Sequence, residues 1–176
     1  MDEILPVIYL GILLVLLGVA AWAILQQVLK TRKTESTLTE LQRKLSKEKG
    51  TAQDYFELGT ILLDKKIYAQ AITQLQKSLK AESLDTATDA ALVYNALGFA
   101  YFAQEQYDLA IRNYKESVKL VPDYTTALNN LGHAYERKKL TSQALEAYEQ
   151  VLALEPNNTT AKRRAASLRK LVTPAA

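Results

Sequence analysis

A Leu-Gly dipeptide recurs along this 176-residue chain in matching surroundings: YFELGTIL from Tyr55, YNALGFAY from Tyr94 and LNNLGHAY from Leu128. The glycines, Gly59, Gly98 and Gly132, stand 39 and 34 residues apart. A period of that size confines the chain to a stacked architecture, because each unit is too small to bury its apolar face except against its neighbours. Aligned on the glycine, other positions fall into register. Leu58, Leu97 and Leu131 precede it, and twelve residues beyond it come Ala71, Ala110 and Ala144. Sixteen beyond it are Leu75, Tyr114 and Tyr148, and twenty-four beyond it Pro122 and Pro156, with Ser83 in the first unit.

A glycine inside a helix costs about 1 kcal/mol relative to alanine, so three helices that carry one at the same phase need a packing reason. A missing Cβ admits a close antiparallel second helix, with the small Ala71, Ala110 and Ala144 as its expected counterparts. Tyr101 and Tyr135 are expected to fill the space between paired helices. Pro122 and Pro156 stop the second helix of a unit, and Asp123 and Asn157 or Asn158 are ready N-caps behind them. These positions together resemble the tetratricopeptide repeat. The expected fold is all-α: a helical solenoid of three repeats, 52–85, 91–124 and 125–158, inside a body of 51–158. A run SLDTATD, from Ser83, replaces the proline turn after the first repeat and predicts a longer loop or an extended helix start. Residues 159–176 are expected to form a basic capping helix and tail, with Ala161, Ala165, Leu168 and Val172 inward and Lys162, Arg163, Arg164, Arg169 and Lys170 mostly toward water.

The other constraint lies at the start. Val7 to Leu25, VIYLGILLVLLGVAAWAIL, is nineteen residues without a charge. As a helix it covers about 28 Å, close to the roughly 30 Å of a bilayer's hydrocarbon. Its apolar residues occupy every face, and Tyr9 and Trp22 suit the two interfaces. Residues 1–30 therefore read as a single-pass transmembrane anchor. The alternative is a cleavable signal peptide, for which Ala21 to Ala23 resembles a cleavage site. Asp2 and Glu3 stand where a signal peptide carries positive charge. Lys/Arg residues follow the span and none precedes it, so the positive-inside rule places the repeats on the cytoplasmic or equivalent side. Residues 31–50 form a basic helical spacer with Leu38, Leu41 and Leu45 on one narrow stripe. It is either solvated or laid against anionic lipid headgroups. Gly50 ends it and Thr51 can cap the next helix.

His133 is the lone histidine in a chain without cysteine. No serine nucleophile or second histidine is arranged with it, so no catalytic residue, metal site or cofactor is expected. The resemblance gives it another place. In tetratricopeptide repeats the residue after the glycine faces the concave groove, which puts Thr60, Phe99 and His133 in one row. Phe56, Asn95 and Asn129 lie in a neighbouring row, and Leu63, Phe102 and Glu136 in another. With Asn130 these form the expected protein-binding groove, aromatics giving contact area and amides answering an extended chain's backbone. The alternative is that Phe99 or Phe102 packs against its own repeats or the spacer helix. Chaperone-binding members of the family hold a partner's terminal carboxylates with Lys, Asn and Arg at fixed positions. Here those positions are Phe56, Thr60, Ala96, Thr126 and Asn130, none of them a cation.

Charge is unevenly spread. Residues 30–49 carry seven Lys/Arg against three Glu, residues 51–158 ten basic against fourteen acidic, and residues from 159 onward five basic and no acidic. That pattern is unlike a duplex-binding body, which needs a strongly basic face throughout. Anchor, size and repeat number together resemble the photosystem I assembly factors of cyanobacteria and plastids. The resemblance implies a thylakoid membrane protein with its repeats on the cytoplasmic or stromal side. Its implied partners are photosystem I subunits or assembly intermediates, and lipid through the N-terminal helix, with no nucleic acid and no small-molecule substrate. A general membrane-tethered chaperone, or a scaffold for another membrane complex, is the alternative.

Overall fold

A computed structural model describes the backbone over residues 4–172 and the side chains over 9–172. Among the described residues there are eight helices and no strand. The chain divides into two compact units, residues 1–47 and 48–176.

The first unit is one helix, α1 (Ile4–Lys47), unbroken over 44 residues. Its apolar part leaves every described side chain from Tyr9 to Leu29 exposed within the protein, Trp22 at 63 %. It is the one helix among the described residues long and apolar enough to cross a membrane. The polar continuation keeps its threonine hydroxyls inside the helix: Thr31 donates to the Gln27 carbonyl at 2.9 Å and Thr39 to that of Glu35 at 2.9 Å. These hydroxyls are thereby satisfied within their own helix, four residues back.

The second unit contains three helical hairpins and a closing helix. These are α2 (Ala52–Asp64) with α3 (Tyr68–Lys80), α4 (Ala87–Ala103) with α5 (Tyr107–Leu120), α6 (Thr125–Arg137) with α7 (Thr141–Leu154), and finally α8 (Thr159–Val172). Each helix packs on the next, and α2 on α4 and α4 on α6, so the even-numbered helices form one layer and α3, α5 and α7 the other. Ala71, Ala110, Ala144, Ala161 and Ala165 are fully buried between layers.

The glycines do admit a close second helix, but not against the alanines. A Cβ on Gly59 would stand 2.8 Å from Leu75, on Gly98 2.5 Å from the Tyr114 ring, and on Gly132 2.9 Å from the Tyr148 ring. The counterpart is thus the large side chain sixteen residues on, which lies over the bare backbone. Tyr135 is buried in the core and Tyr101 packs against it, and both also reach the preceding unit. Gln76 donates to the Tyr101 hydroxyl at 3.2 Å, and at the same offsets the Lys115 ammonium lies 5.9 Å from the Tyr135 ring.

Buried hydroxyls add a second tie. Ser78 and Ser117 are fully buried and donate to the Ala52 and Ala91 carbonyls at 2.8 and 2.7 Å. The third unit has Val151, also fully buried, at this offset. Within each hairpin the turn places a residue with positive φ: Lys66 at 61°, Glu105 at 59° and Lys139 at 58°. The residue after each has an N–H that reaches back five positions, as from Ile67 to the Leu62 carbonyl at 2.8 Å. This closes a left-handed helix cap that usually carries glycine.

Thr51 caps α2 in a reciprocal box with Asp54, and Thr86 caps α4 by accepting from the Asp89 N–H at 3.0 Å. The SLDTATD run therefore starts α4 one turn early, at Ala87. Asn158 caps α8, accepting from the Ala161 N–H at 3.0 Å. Asp123 does not cap α6: the cap residue is Tyr124, whose side chain makes no capping bond, and Asp123 is held one step too early in the turn. Pro122 and Pro156 occupy the second position of turns closed by Tyr124 N–H on Val121 at 3.1 Å and Asn158 N–H on Glu155 at 3.0 Å. In the first unit the same turn runs from Ala81 to Leu84, which puts Glu82 in the proline's place. Ser83, one residue later, instead accepts from the Ala52 N–H at 2.8 Å. Val172 is not inward: it is 40 % exposed, because the opposing layer ends at α7.

Candidate protein-binding face

The even-numbered helices turn one side to α3, α5 and α7 and leave the other open. Phe56 and Thr60 lie half-buried on α2, Asn95 and Phe102 on α4, and Asn129, Asn130, His133 and Glu136 on α6. Phe99 is 45 % exposed, the most accessible aromatic of this group. Leu63, by contrast, is buried.

Two amides in this set are engaged with each other. Asn130 donates to the Asn95 carbonyl oxygen at 2.9 Å, and Asn95 donates in turn to the Tyr124 hydroxyl at 3.3 Å. This chain ties α4 to α6, and burial raises the Tyr124 pKa against the smaller opposing effect of Asn95. The Asn129 carbonyl oxygen is buried with no donor among the described residues.

Phe102, half-buried on this side, belongs to a stack. Its ring lies 4.7 Å from His133 and meets Tyr107 edge-on at 5.3 Å, while the Arg137 guanidinium sits 4.9 Å from the Tyr107 ring. His133 has its pKa lowered, first by burial and then by Arg164, with Glu136 opposing and Arg137 adding slightly. Glu136 accepts from the Tyr148 hydroxyl at 2.6 Å and faces the Arg164 guanidinium at 3.3 Å. Burial, then the Glu136 carboxylate, pushes the Tyr148 hydroxyl pKa up. Burial alone does the same to Tyr114.

The residues missed by sequence reasoning are the cross-repeat partners Tyr107, Tyr124, Arg137 and Arg164. The 34-residue period was the available signal for Arg164, since it extends into the last helix. A cavity of about 140 Å³ opens between α2 and α4, of mixed lining: Phe56, Leu84, Leu92 and Val93 with the polar Gln53, Ser78, Ser83 and Asp89. No group of three His, Asp or Glu side chains among the described residues could hold a metal. What the face can do is bind: one exposed ring and a polar, partly pre-bonded centre.

A family model for the TPR repeat matches residues 98–139, and one for the tetratricopeptide repeat matches 125–158. The ycf37 protein of Cyanophora paradoxa is 41 % identical over 93 residues, 53 % of this chain and 54 % of its own length. That of Guillardia theta is 37 % identical over 117 residues, 66 % of this chain and 65 % of its own. The tetratricopeptide repeat domain-containing protein PYG7, chloroplastic, of Arabidopsis thaliana is 41 % identical over 107 residues, 61 % of this chain and 35 % of its own. The chain thus spans about half to two thirds of these ycf37 proteins and about a third of PYG7. Among solved structures, MamA superposes with a TM-score of 0.72 at 23 % identity, covering 81 % of this chain and 82 % of its own. The first TPR of Spaghetti (RPAP3), bound to the HSP90 peptide SRMEEVD, gives 0.63 at 24 % identity, covering 71 % and 95 %. These two likenesses establish the fold alone. An all-helical body with three repeats in register, two repeat-family matches and homologues in ycf37 and PYG7 show that this chain carries tetratricopeptide repeats.

Proposed function

We propose that this chain is a membrane-anchored protein-binding factor that assists the assembly or stabilisation of photosystem I, with no chemistry of its own. The observation that carries the binding role is the open face of α2, α4 and α6, where the Phe99 ring stands 45 % exposed. The link to photosynthesis is supported by similarity to chloroplastic PYG7 and to ycf37. Residues 1–30 act as the anchor in a thylakoid membrane, 31–50 as a spacer, 51–158 as the binding repeats and 159–176 as the cap. Anchoring confines the search for partners to one bilayer and raises their effective concentration. The excess of Lys/Arg after the span supports repeats on the cytoplasmic or stromal side.

Capture of chaperone C-termini is the less favoured role, because Phe56, Thr60, Ala96, Thr126 and Asn130 supply no cation for a terminal carboxylate. Purification of the tagged chain from mildly solubilised thylakoids tests the proposal. Photosystem I subunits or intermediates should be enriched, and recovery of general chaperones alone would overturn it. Protease added to the cytoplasmic or stromal face of sealed membranes should remove 51–176, and full protection would reverse the orientation.

A further inference from the structure

The three hairpin turns of the body stand at one edge, because α2, α4 and α6 run toward it and α3, α5 and α7 run away. A short motif recurs there that helix pairing does not use. Lys65-Lys66-Ile67 and Lys138-Lys139-Leu140 occupy the same offsets from Gly59 and Gly132. Lys65 and Lys138 are the cap residues of α2 and α6, where a cation suits the carboxyl end of the helix. Lys66 and Lys139 stand one step beyond, exposed, on a left-handed backbone that glycine fits better. Neither has an acidic partner among the described residues. A side chain kept at a strained position, with no bond inside its own fold, points to a role outside that fold.

Aliphatic side chains accompany these cations. Ile67 is 40 % exposed, Leu140 39 % and, at the middle turn, Leu109 39 %. The middle turn's own acids are answered by the third repeat: Glu105 faces Arg137 at 3.7 Å and Asp108 faces Lys138 at 3.0 Å. The opposite edge has another character. Its connections, 81–86, 121–124 and 155–158, carry Glu82, Asp85, Asp123 and Glu155 and no Lys or Arg. A body with an excess of acidic residues thus gathers unpaired cations and aliphatic groups at one edge and carboxylates at the other.

We propose that the hairpin-turn edge rests on the anionic lipid surface of the membrane that holds the anchor. Lys66 and Lys139 meet headgroup phosphates, and Ile67, Leu109 and Leu140 dip among the headgroups. Ammonium groups set beside short aliphatic ones suit such a surface, which attracts the first and shelters the second. Reach permits the contact: residues 26–47 of α1 extend about 33 Å past the span, and the turn edge lies one helix, about 20 Å, from residue 51. The difference is comparable with a headgroup layer and an extended lysine side chain together. The proposal rests on the anchoring role given above.

The chain has no cysteine, so single cysteines can report each edge. The full chain is placed in phosphatidylglycerol-rich nanodiscs containing a nitroxide-headgroup lipid. A fluorophore is carried at Gln70→Cys or Ser142→Cys beside the turns, or at Asp123→Cys or Asn157→Cys on the opposite edge. Labels beside the turns should be quenched at least about threefold more than those opposite. Phosphatidylcholine in place of phosphatidylglycerol, or about 0.5 M salt, should remove most of that difference. Lys66→Glu with Lys139→Glu should remove it too, with helical content unchanged by circular dichroism. Lys66→Gly with Lys139→Gly should do the same without straining the backbone. Equal quenching at both edges, or quenching indifferent to lipid charge and to both double variants, would overturn the proposal. A chain that enters nanodiscs but escapes quenching at the turns would overturn this contact and leave the anchor standing; one that fails to enter would overturn both. Charge reversal that weakens capture of thylakoid proteins, while the turn labels stay unquenched, would assign the cations to a protein partner and likewise overturn it.

Discussion

Gly98 lies so near the ring of Tyr114 that a Cβ on it would stand 2.5 Å from the aromatic carbons, nearer than the corresponding approaches of 2.8 Å to Leu75 and 2.9 Å to Tyr148. Tyr114 is also fully buried, so its ring has no solvent side to move into. The central hairpin is the tightest of the three.

Gly98→Ala should therefore destabilise more than Gly59→Ala, where the opposing atoms belong to a flexible leucine. Overpacking of this kind costs about 1–3 kcal/mol, and Gly98→Leu should cost more still. Chemical denaturation of the full chain in micelles, monitored by tyrosine fluorescence, would measure the order. Equal losses at the two sites would mean that ring position does not govern the cost.

The left-handed turn residues give the opposite sign. Lys66 and Lys139 hold φ of 61° and 58° without being glycine. A non-glycine residue there costs about 1–2 kcal/mol. Replacement by glycine relieves this but adds entropy to the unfolded chain, leaving a net gain of about 0.5–1 kcal/mol. Lys66→Gly and Lys139→Gly should each raise Tm by a few degrees. Glu105→Gly should gain less, since Glu105 also faces Arg137 at 3.7 Å.

These turns show why some of the molecule was readable in the sequence and some was not. Gly59, Gly98, Gly132, the buried alanines and the two prolines repeat at fixed offsets, so helix pairing could be inferred from spacing. The hairpin turns carry Lys66, Glu105 and Lys139, which announce nothing, because a left-handed cap without glycine has no composition signal. The slip from Ser83 to Glu82 at the first turn arose because α3 is one residue shorter than α5, which alignment on the glycines cannot register. In the candidate site, single-helix rows were legible, since they depend on helical period alone. The Asn130–Asn95–Tyr124 chain and the Glu136–Arg164 pair were not, since they depend on how one repeat is rotated upon the next.

His133 makes stability depend on pH. Its folded pKa lies below the ordinary value of 6.5, chiefly through burial and the Arg164 guanidinium. The unfolded chain then binds the proton more readily than the folded one, and acid favours unfolding. The contribution is fully present above about pH 6.5 and is lost as pH falls from there toward the folded pKa. Urea midpoints measured from pH 7.5 to 5 should fall more steeply for the native chain than for His133→Phe, which copies Phe99 of the preceding unit. Parallel slopes would place the pH dependence on the carboxylates.

Binding and anchoring should separate. Phe99 is 45 % exposed, and the Asn129 carbonyl oxygen is buried without a donor, so neither side chain holds the fold through a bond that truncation would break. Leaving a polar atom unpaired is itself unfavourable, and Asn129→Ala removes that cost together with the atom. The double substitution Phe99→Ala with Asn129→Ala should therefore keep its helical content and Tm. Truncating a central aromatic contact commonly costs more than about 1 kcal/mol of binding, so capture of partners from solubilised thylakoids should drop several-fold. A chain lacking 1–30 should show the reverse: partners captured in solution at undiminished affinity, but poor rescue of photosystem I accumulation in cells without the native protein, because its effective concentration at the membrane is gone. Undiminished capture by the folded double variant would move the binding surface off Phe99. Full rescue by the unanchored chain would show that residues 1–30 serve something other than proximity.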